Sequence, residues 1–599
     1  MSRLWKRVEE SLSENLPIDV LPCSNGEFIP AEPTDQQRQV MWLADREAER
    51  VRRRMGMTRR QFVRSSAAFG IGLWAIDQVM GTRFGRYTAH AWSKTNKACD
   101  YGDVAHAELH NRPGEFIFDI QSHHVESTGT WRVDNPAFEA FFAAIWSQSG
   151  GVAPAATADP YWPGQTPLRG GREIDPIENL SRYHYLKEIY LDSATSMAVL
   201  SAVPSAPNQQ PLPTDKAILT VDKVAALGGG TRRCVIHAFV MPNRGSGGST
   251  TTFSGHDPLF MQEEFDLMER GLQLYGDKIR GWKVYTAWGD VPYQTGWYLD
   301  DDIGLKFCAE VKRLGDDRRY NANKIIAVHK GFALPGFDQR AASPRDIGPA
   351  ARQFRDVLFI VYHSGYDSEP QRPYAGDDNV NSADRGVDSL IKSLRENGWD
   401  ATRFVPAGLS HGNVPNVYAE IGSTWRSVMG DPNQAAHLLG KLITYVGPLR
   451  VCWGTDSLWF GSPQAEIAGF RSFDMSAQAR QLYNLPHGLN GDAWDPSYDA
   501  TSAGSYLGAN PHVSGWPTDG LAHPERTIRN RIFGRNAADA YRVDVTATSQ
   551  ALHCDDVQKI RDAYLVNEGT TAPLASNQLL GPRSRRELFD MLAIKPWSP

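Results

Sequence analysis

The chain has 599 residues, 41% of them hydrophobic, and a formal net charge of −6. That length exceeds one average domain and suits one large barrel with additions, and the mild charge, with no basic domain or stripe, excludes the electrostatic footprint of a nucleic-acid binder. Six scattered cysteines (Cys23, Cys99, Cys234, Cys308, Cys452 and Cys554) exclude a disulfide framework and a zinc ribbon.

Residues 1–57 are polar, and the Arg/Glu-rich stretch 36–55 reads as a helix. Thr58-Arg-Arg-Gln-Phe-Val-Arg64 then precedes an apolar run over 65–80. The run is short for a membrane span and contains Asp77. Paired arginines before a modest apolar segment resemble a twin-arginine export signal, and Ala89-His-Ala91 fits a small-x-small cleavage site. The segment 58–91 is therefore expected to direct the protein to the periplasm or beyond, with a cytoplasmic location as the alternative. Residues 92–113 read as a linker. Its His106 and His110 share a helix face, but the intervening glutamate is misplaced for a zinc-protease motif, so they are expected to be surface residues.

From residue 114 to 545 apolar strands alternate with helical periods. Strands are expected at 116–120, 196–203, 233–240, 281–285, 324–328, 358–362, 417–421 and 449–453. Helices are expected at 260–275, 303–314 and 349–354. Eight such units argue for a parallel sheet closed as a (β/α)8 barrel, with helical extensions before it and at 546–599. A doubly wound open sheet is the alternative, but no Gly-rich dinucleotide fingerprint follows a strand. Insertions at 147–180, 365–413 and 474–526 leave the C-terminal ends of strands, where barrel enzymes build their sites. Seventeen tryptophans, several near strand ends, favour an aromatic-lined pocket.

Polar residues collect at those strand ends. In the first strand Asp119, Gln121 and His123 alternate, which on a regular strand places them on one face. The fifth strand ends at His329-Lys-Gly331, the sixth at His363-Ser-Gly365 and the eighth at Gly454-Thr-Asp-Ser457. In a barrel these ends converge on one mouth, and three imidazoles with a carboxylate make a nitrogen/oxygen donor set for a divalent ion. Asn243, Trp288, Lys330, Glu420 and Trp459, at or just beyond strand ends, are the candidate substrate-binding residues.

These motifs together resemble the amidohydrolase superfamily, and more closely its amidohydrolase-related branch, which includes aminocarboxymuconate semialdehyde decarboxylase. The stretch Ile532-Phe-Gly-Arg-Asn-Ala-Ala-Asp-Ala-Tyr541 is similar to that branch's terminal helix. The resemblance implies one divalent metal, Zn²⁺ with Mn²⁺ or Fe²⁺ as options, held by Gln121, His123, His329 and Asp456. Asp456 would also shuttle protons, and His363 would polarise water or substrate. Gln121 departs from the branch's pattern, which expects histidine there; His124 substitutes only if the strand has already broken. Lys283 stands where binuclear relatives carry a modified lysine, and a buried ion pair is expected for it instead. The implied reaction is hydrolysis of a C–N or C–O bond of a small organic substrate by metal-activated water. The alternatives are non-oxidative decarboxylation of a small unsaturated or aromatic acid, and a non-catalytic barrel that has lost its metal. Expected partners are a small-molecule substrate, the twin-arginine machinery and, as an option, further copies of the chain.

Overall fold

A computed structural model describes residues 34–54, 115–136, 180–205, 209–244, 258–289, 296–332, 337–367, 385–398, 416–459, 461–491, 524–553 and 555–558, with isolated positions 71, 75, 76, 79, 139, 177 and 493. The paired arginines, Ala89–Ala91, His106 and His110, and most of the three insertions lie outside them. The Arg/Glu-rich segment is a helix, α1 (Asp35–Arg54), cross-linked toward its C-terminal end by i,i+3 and i,i+4 ion pairs such as Glu49 with Arg52 and Arg53. No helix among the described residues is long and apolar enough to cross a membrane.

Eight strands follow: β1 (Phe118–Ser122), β2 (Met197–Ser201), β3 (Cys234–Phe239), β4 (Ile279–Tyr285), β5 (Ile325–His329), β6 (Leu358–Tyr362), β7 (Val417–Glu420) and β8 (Val451–Cys452). They pair in sequence order, every neighbouring pair parallel. Ile120 N–H donates to Trp453 O (3.1 Å) and Asp456 N–H to Gln121 O (2.8 Å), with a parallel bridge between Ser122 and Ser457, so β8 returns to β1 and the barrel closes. Among the connecting helices are α2 (Thr214–Leu227), α3 (Pro258–Tyr275), α4 (Asp302–Asp316), α5 (Ile347–Gln353), α6 (Gly386–Glu396), α7 (Pro432–Lys441) and α8 (Gln464–Ser472). This is a (β/α)8 barrel.

Parallel strands covered by helices are apolar on both faces, and the burial divides accordingly. One cluster, including Leu200, Ile236, Val328, Val361 and Ala419, packs strands against the outer helices. A second, with Phe118, Val199, Ile325, Ala327, Ile360 and Tyr418, fills the barrel and is joined by Ala537, Ala538 and Tyr541 of α9 (Asn536–Tyr541). Tyr541 reaches furthest: its hydroxyl meets His237 Nε2 at 2.7 Å, while His237 Nδ1 meets Tyr362 Oη at 2.9 Å. Helix α10 (Val545–His553) comes just before Asp555, which grips Arg233 beside β3 through both carboxylate oxygens.

One local feature differs from the alternation expected for β1. Asp119 pairs with Ala198 and Ser122 with Leu200, so three steps along β1 match two along β2. This bulge interrupts the regular alternation between Asp119 and Ser122. Asp119 accepts from Thr455 N–H (3.2 Å) and Thr455 Oγ1 in the turn after β8, and from its neighbour's own backbone, Gln121 N–H (3.1 Å). Burial pushes its carboxyl up to about 8 despite the Thr455 bond.

Candidate functional site

The exits of β1, β5, β6, β7 and β8 bring Gln121, His123, His329, His363, Glu420 and Asp456 into one buried cluster. Its centre is Asp456. Oδ1 lies 3.0 Å from Gln121 Nε2 and 3.0 Å from His123 Nε2, and Oδ2 accepts from Ser423 Oγ at 2.6 Å. Burial alone would raise this carboxyl; the His123 contact, the charges of His123 and His363 and the Ser423 hydroxyl reverse it and hold it below the ordinary carboxylate range.

The histidines are oriented by backbone carbonyls. His123 Nδ1 is 2.8 Å from Ser201 O, and His363 Nδ1 is 2.6 Å from Gly422 O. A carbonyl only accepts, so both Nδ1 atoms carry protons, and in the neutral His363 ring Nε2 presents its lone pair. His123 Nε2 points at Asp456; His363 Nε2 lies 3.3 Å from Gln121 Nε2. Burial holds His363 down to about 4, Asp456 pulling the other way, so its ring is neutral at physiological pH. His329 ends β5 with Nε2 2.5 Å from Phe332 O, its ring stacked on Tyr285 and edge-on to His363 at 4.6 Å. Trp459 stacks on His123 at 5.2 Å.

Glu420 closes the cluster from below. Oε2 accepts His363 N–H (2.9 Å), Oε1 accepts Gly422 N–H, and its main-chain carbonyl accepts Ser364 Oγ (2.7 Å). It thus fixes the backbone of His363 and the turn whose carbonyl orients the His363 ring. Burial pushes its carboxyl well up, against the pull of the His363 N–H.

The remaining candidates make other contacts. Lys330 turns away into a fully buried ion pair, its Nζ 2.8 Å from Asp346 and 3.0 Å from Ala341 O. Asn243 donates to Trp288 O (2.8 Å), and the Trp288 ring packs on Phe337, tying the β3 and β4 exits together. His124 does not replace Gln121: its Nε2 meets Thr220 Oγ1 of α2 at 2.8 Å, outside the barrel. Lys283, for which an ion pair is expected, faces the rings of Tyr362 (3.5 Å) and Tyr285 (4.4 Å) inside the barrel. The sequence reading missed Ser423, Gly422 and the Ser201 carbonyl. A Gly-Ser pair directly after the seventh strand was the one signal that could have pointed to the first two.

Among the described residues no group of three or more His, Cys, Asp or Glu side chains stands ready as a metal site by itself. The donor set depends on an amide. His123 Nε2 and the Gln121 amide both lie against Asp456 Oδ1, and the His123 ring is tied at Nδ1 as metal-ligating histidines usually are. Gln121 Oε1 is buried without a hydrogen-bond partner. These residues fit a divalent cation with mixed nitrogen and oxygen ligands.

No protein-family model matches the chain, and neither does any curated protein. Several solved structures are similar to it in part. A 5-carboxyvanillate decarboxylase from Sphingomonas paucimobilis shares 12% identity over 72% of this chain and 99% of its own, at a TM-score of 0.33. A 2,6-dihydroxybenzoate decarboxylase from Rhizobium shares 13% over 62% and 99%, at 0.30. An amidohydrolase from Burkholderia multivorans, with bound zinc, shares 13% over 72% and 100%, at 0.32.

Proposed function

We propose that the barrel mouth is the active site of a metal-dependent hydrolase acting on a small organic substrate. The observation that carries this is the pair of imidazoles, His123 and His363, each locked at Nδ1 by a backbone carbonyl with Nε2 turned toward Asp456 and the Gln121 amide. His123, Asp456 and Gln121 would hold the ion, with His329 beside them; Zn²⁺ and Mn²⁺ both suit such donors. When bound, the metal supplies a Lewis acid that polarises a carbonyl and lowers the pKa of water toward about 7.

The chain's own groups do the rest. Asp456, at the centre of the cluster, would be the carboxylate that takes the proton from the attacking water. His363, neutral through the physiological range, takes up a proton at Nε2 and returns it to a leaving group, while Gly422 O keeps the ring in place through Nδ1–H. Trp459 covers His123 and limits water around it.

Elemental analysis of the purified protein, followed by product analysis with small aromatic acids and lactones in heavy-oxygen water, tests the reading. The expected results are about one equivalent of divalent metal, lost in His123→Ala, and heavy oxygen in the product. Metal below about one-tenth equivalent that cannot be restored refutes the metal site. Carbon dioxide release without oxygen incorporation replaces hydrolysis by decarboxylation at the same residues.

A further inference from the structure

We propose that Gln121 is an internal surrogate for the metal: its amide N–H groups occupy the acceptors of Asp456 and His363 that face the position a cation would take, so metal uptake competes with the protein's own amide. The proposal rests on the metal reading of the mouth. Gln121 Nε2 lies 3.0 Å from Asp456 Oδ1 and 3.3 Å from His363 Nε2, one an anionic acceptor and the other a lone pair. These acceptors crowd together in a site with no solvent exposure, and without a donor between them they would repel. The amide supplies two N–H donors at that point.

The other end of the amide shows the cost. Oε1 is buried with no hydrogen-bond partner, and it lies on the side occupied by Glu420. Both Gln121 Oε1 (2.6 Å) and Glu420 Oε1 (2.5 Å) border the spot where a side chain on Gly422 would begin. The amide therefore has Asp456 and His363 on its nitrogen side and the Glu420 carboxyl bordering its oxygen side. A half-turn of its terminal bond would offer N–H to Glu420 and oxygen to Asp456 and His363. That arrangement is repulsive without a cation and favourable with one. The metal thus selects the amide's orientation, and displacing the two N–H bonds subtracts from its affinity. A glutamate at 121 would behave oppositely: a strong ligand when loaded, and a second buried anion beside Asp456 when empty.

The experiment compares wild type, Gln121→Glu and Gln121→Met on two axes that need no substrate: the urea midpoint of chelator-stripped protein, and Mn²⁺ and Zn²⁺ affinity by calorimetry. Gln121→Glu is expected to lower the stripped midpoint yet bind metal about tenfold or more tighter. Gln121→Met keeps the length without donors or charge, and is expected to lower the midpoint and weaken metal binding. Stripped Gln121→Glu that unfolds outright but refolds on adding Mn²⁺ supports the proposal equally. Unchanged stripped stability in both variants, or a wild type that binds metal as tightly as Gln121→Glu, overturns it while leaving the metal site standing. Failure of all three proteins to bind either metal overturns the metal reading and this competition together.

Discussion

Gly454 puts the arrangement around Glu420 to a quantitative test. A Cβ at this position would fall inside contact with Glu420 Oε1, 2.7 Å from its Cδ and 3.1 Å from Gln121 Cβ. Glu420 cannot swing aside cheaply, because its two oxygens accept the N–H groups of His363 and Gly422 and it has no exposed surface. Gly454→Ala therefore forces an overpacking cost of about 1–3 kcal/mol, and about as much again for a buried N–H stripped of its acceptor. A total of about 4 kcal/mol is expected from urea unfolding of the stripped protein. Gly469→Ala, in α8, is the matched control. Its nearest atoms would be Met429 Sδ and Trp425 Cζ2, both at 3.8 Å, so it should be neutral or gain up to about 1 kcal/mol of helix propensity. In a double-mutant cycle, Glu420→Ala should relieve part of the Gly454→Ala cost, giving at least about 1 kcal/mol of coupling. A Gly454→Ala cost below about 1 kcal/mol, or strict additivity with Glu420→Ala, would refute the reasoning.

Two further predictions concern regions away from the mouth. Tyr541→Phe keeps the ring stacked on His237 but leaves His237 Nε2 buried without a donor, so it should cost about 1–3 kcal/mol in unfolding with metal affinity unchanged; weakened metal binding would show that floor and mouth are coupled. Burial, aided by Lys441, holds His437 down to about 4 from an ordinary 6.5, so the unfolded chain takes up this proton first as the pH falls. Stability should therefore drop between about pH 6.5 and 4, by up to about 3 kcal/mol, and pH-dependent unfolding of His437→Gln should lack that component.

The strands and their order were legible because a parallel sheet covered on both faces leaves apolar runs such as 324–328 and 358–362, and because barrel topology sends every run's C-terminal end to one mouth. That logic located His123, His329, His363 and Asp456 without any contact being visible. Other features do not follow from it. The bulge in β1 depends on pairing with β2, which no local pattern of Phe-Asp-Ile-Gln-Ser encodes, so the regular alternation expected across Asp119, Gln121 and His123 is interrupted. Lys330 follows His329 directly, yet its side chain points away from the site; only the placement of Asp346, sixteen residues on, draws it into the ion pair. Glu420 was readable as a polar residue on a strand end but not as a clamp, since its partners are backbone N–H groups, which every residue but proline carries.

Backbone conformation adds a physical reason to look at this mouth rather than elsewhere. Among the described residues seven non-glycine positions take positive φ, and four of them, His363 (62°), Ser364 (55°), Ser423 (51°) and Asp456 (60°), sit at the exits of β6, β7 and β8. Each costs about 1 kcal/mol or more, and glycine would remove that cost. The chain does place glycine nearby, at 365, 422 and 454, where side chains would collide with Pro344, Glu420 or Gln121. Where φ is unfavourable it instead keeps an imidazole, two hydroxyls and a carboxylate. Those side chains bond to one another's turns: Ser364 to Glu420 O, Ser423 to Asp456 and His363 to Gly422 O. A packing role alone would be met better by glycine. Strain retained for polar side chains, and held in place by them, is what a site selected for chemistry requires.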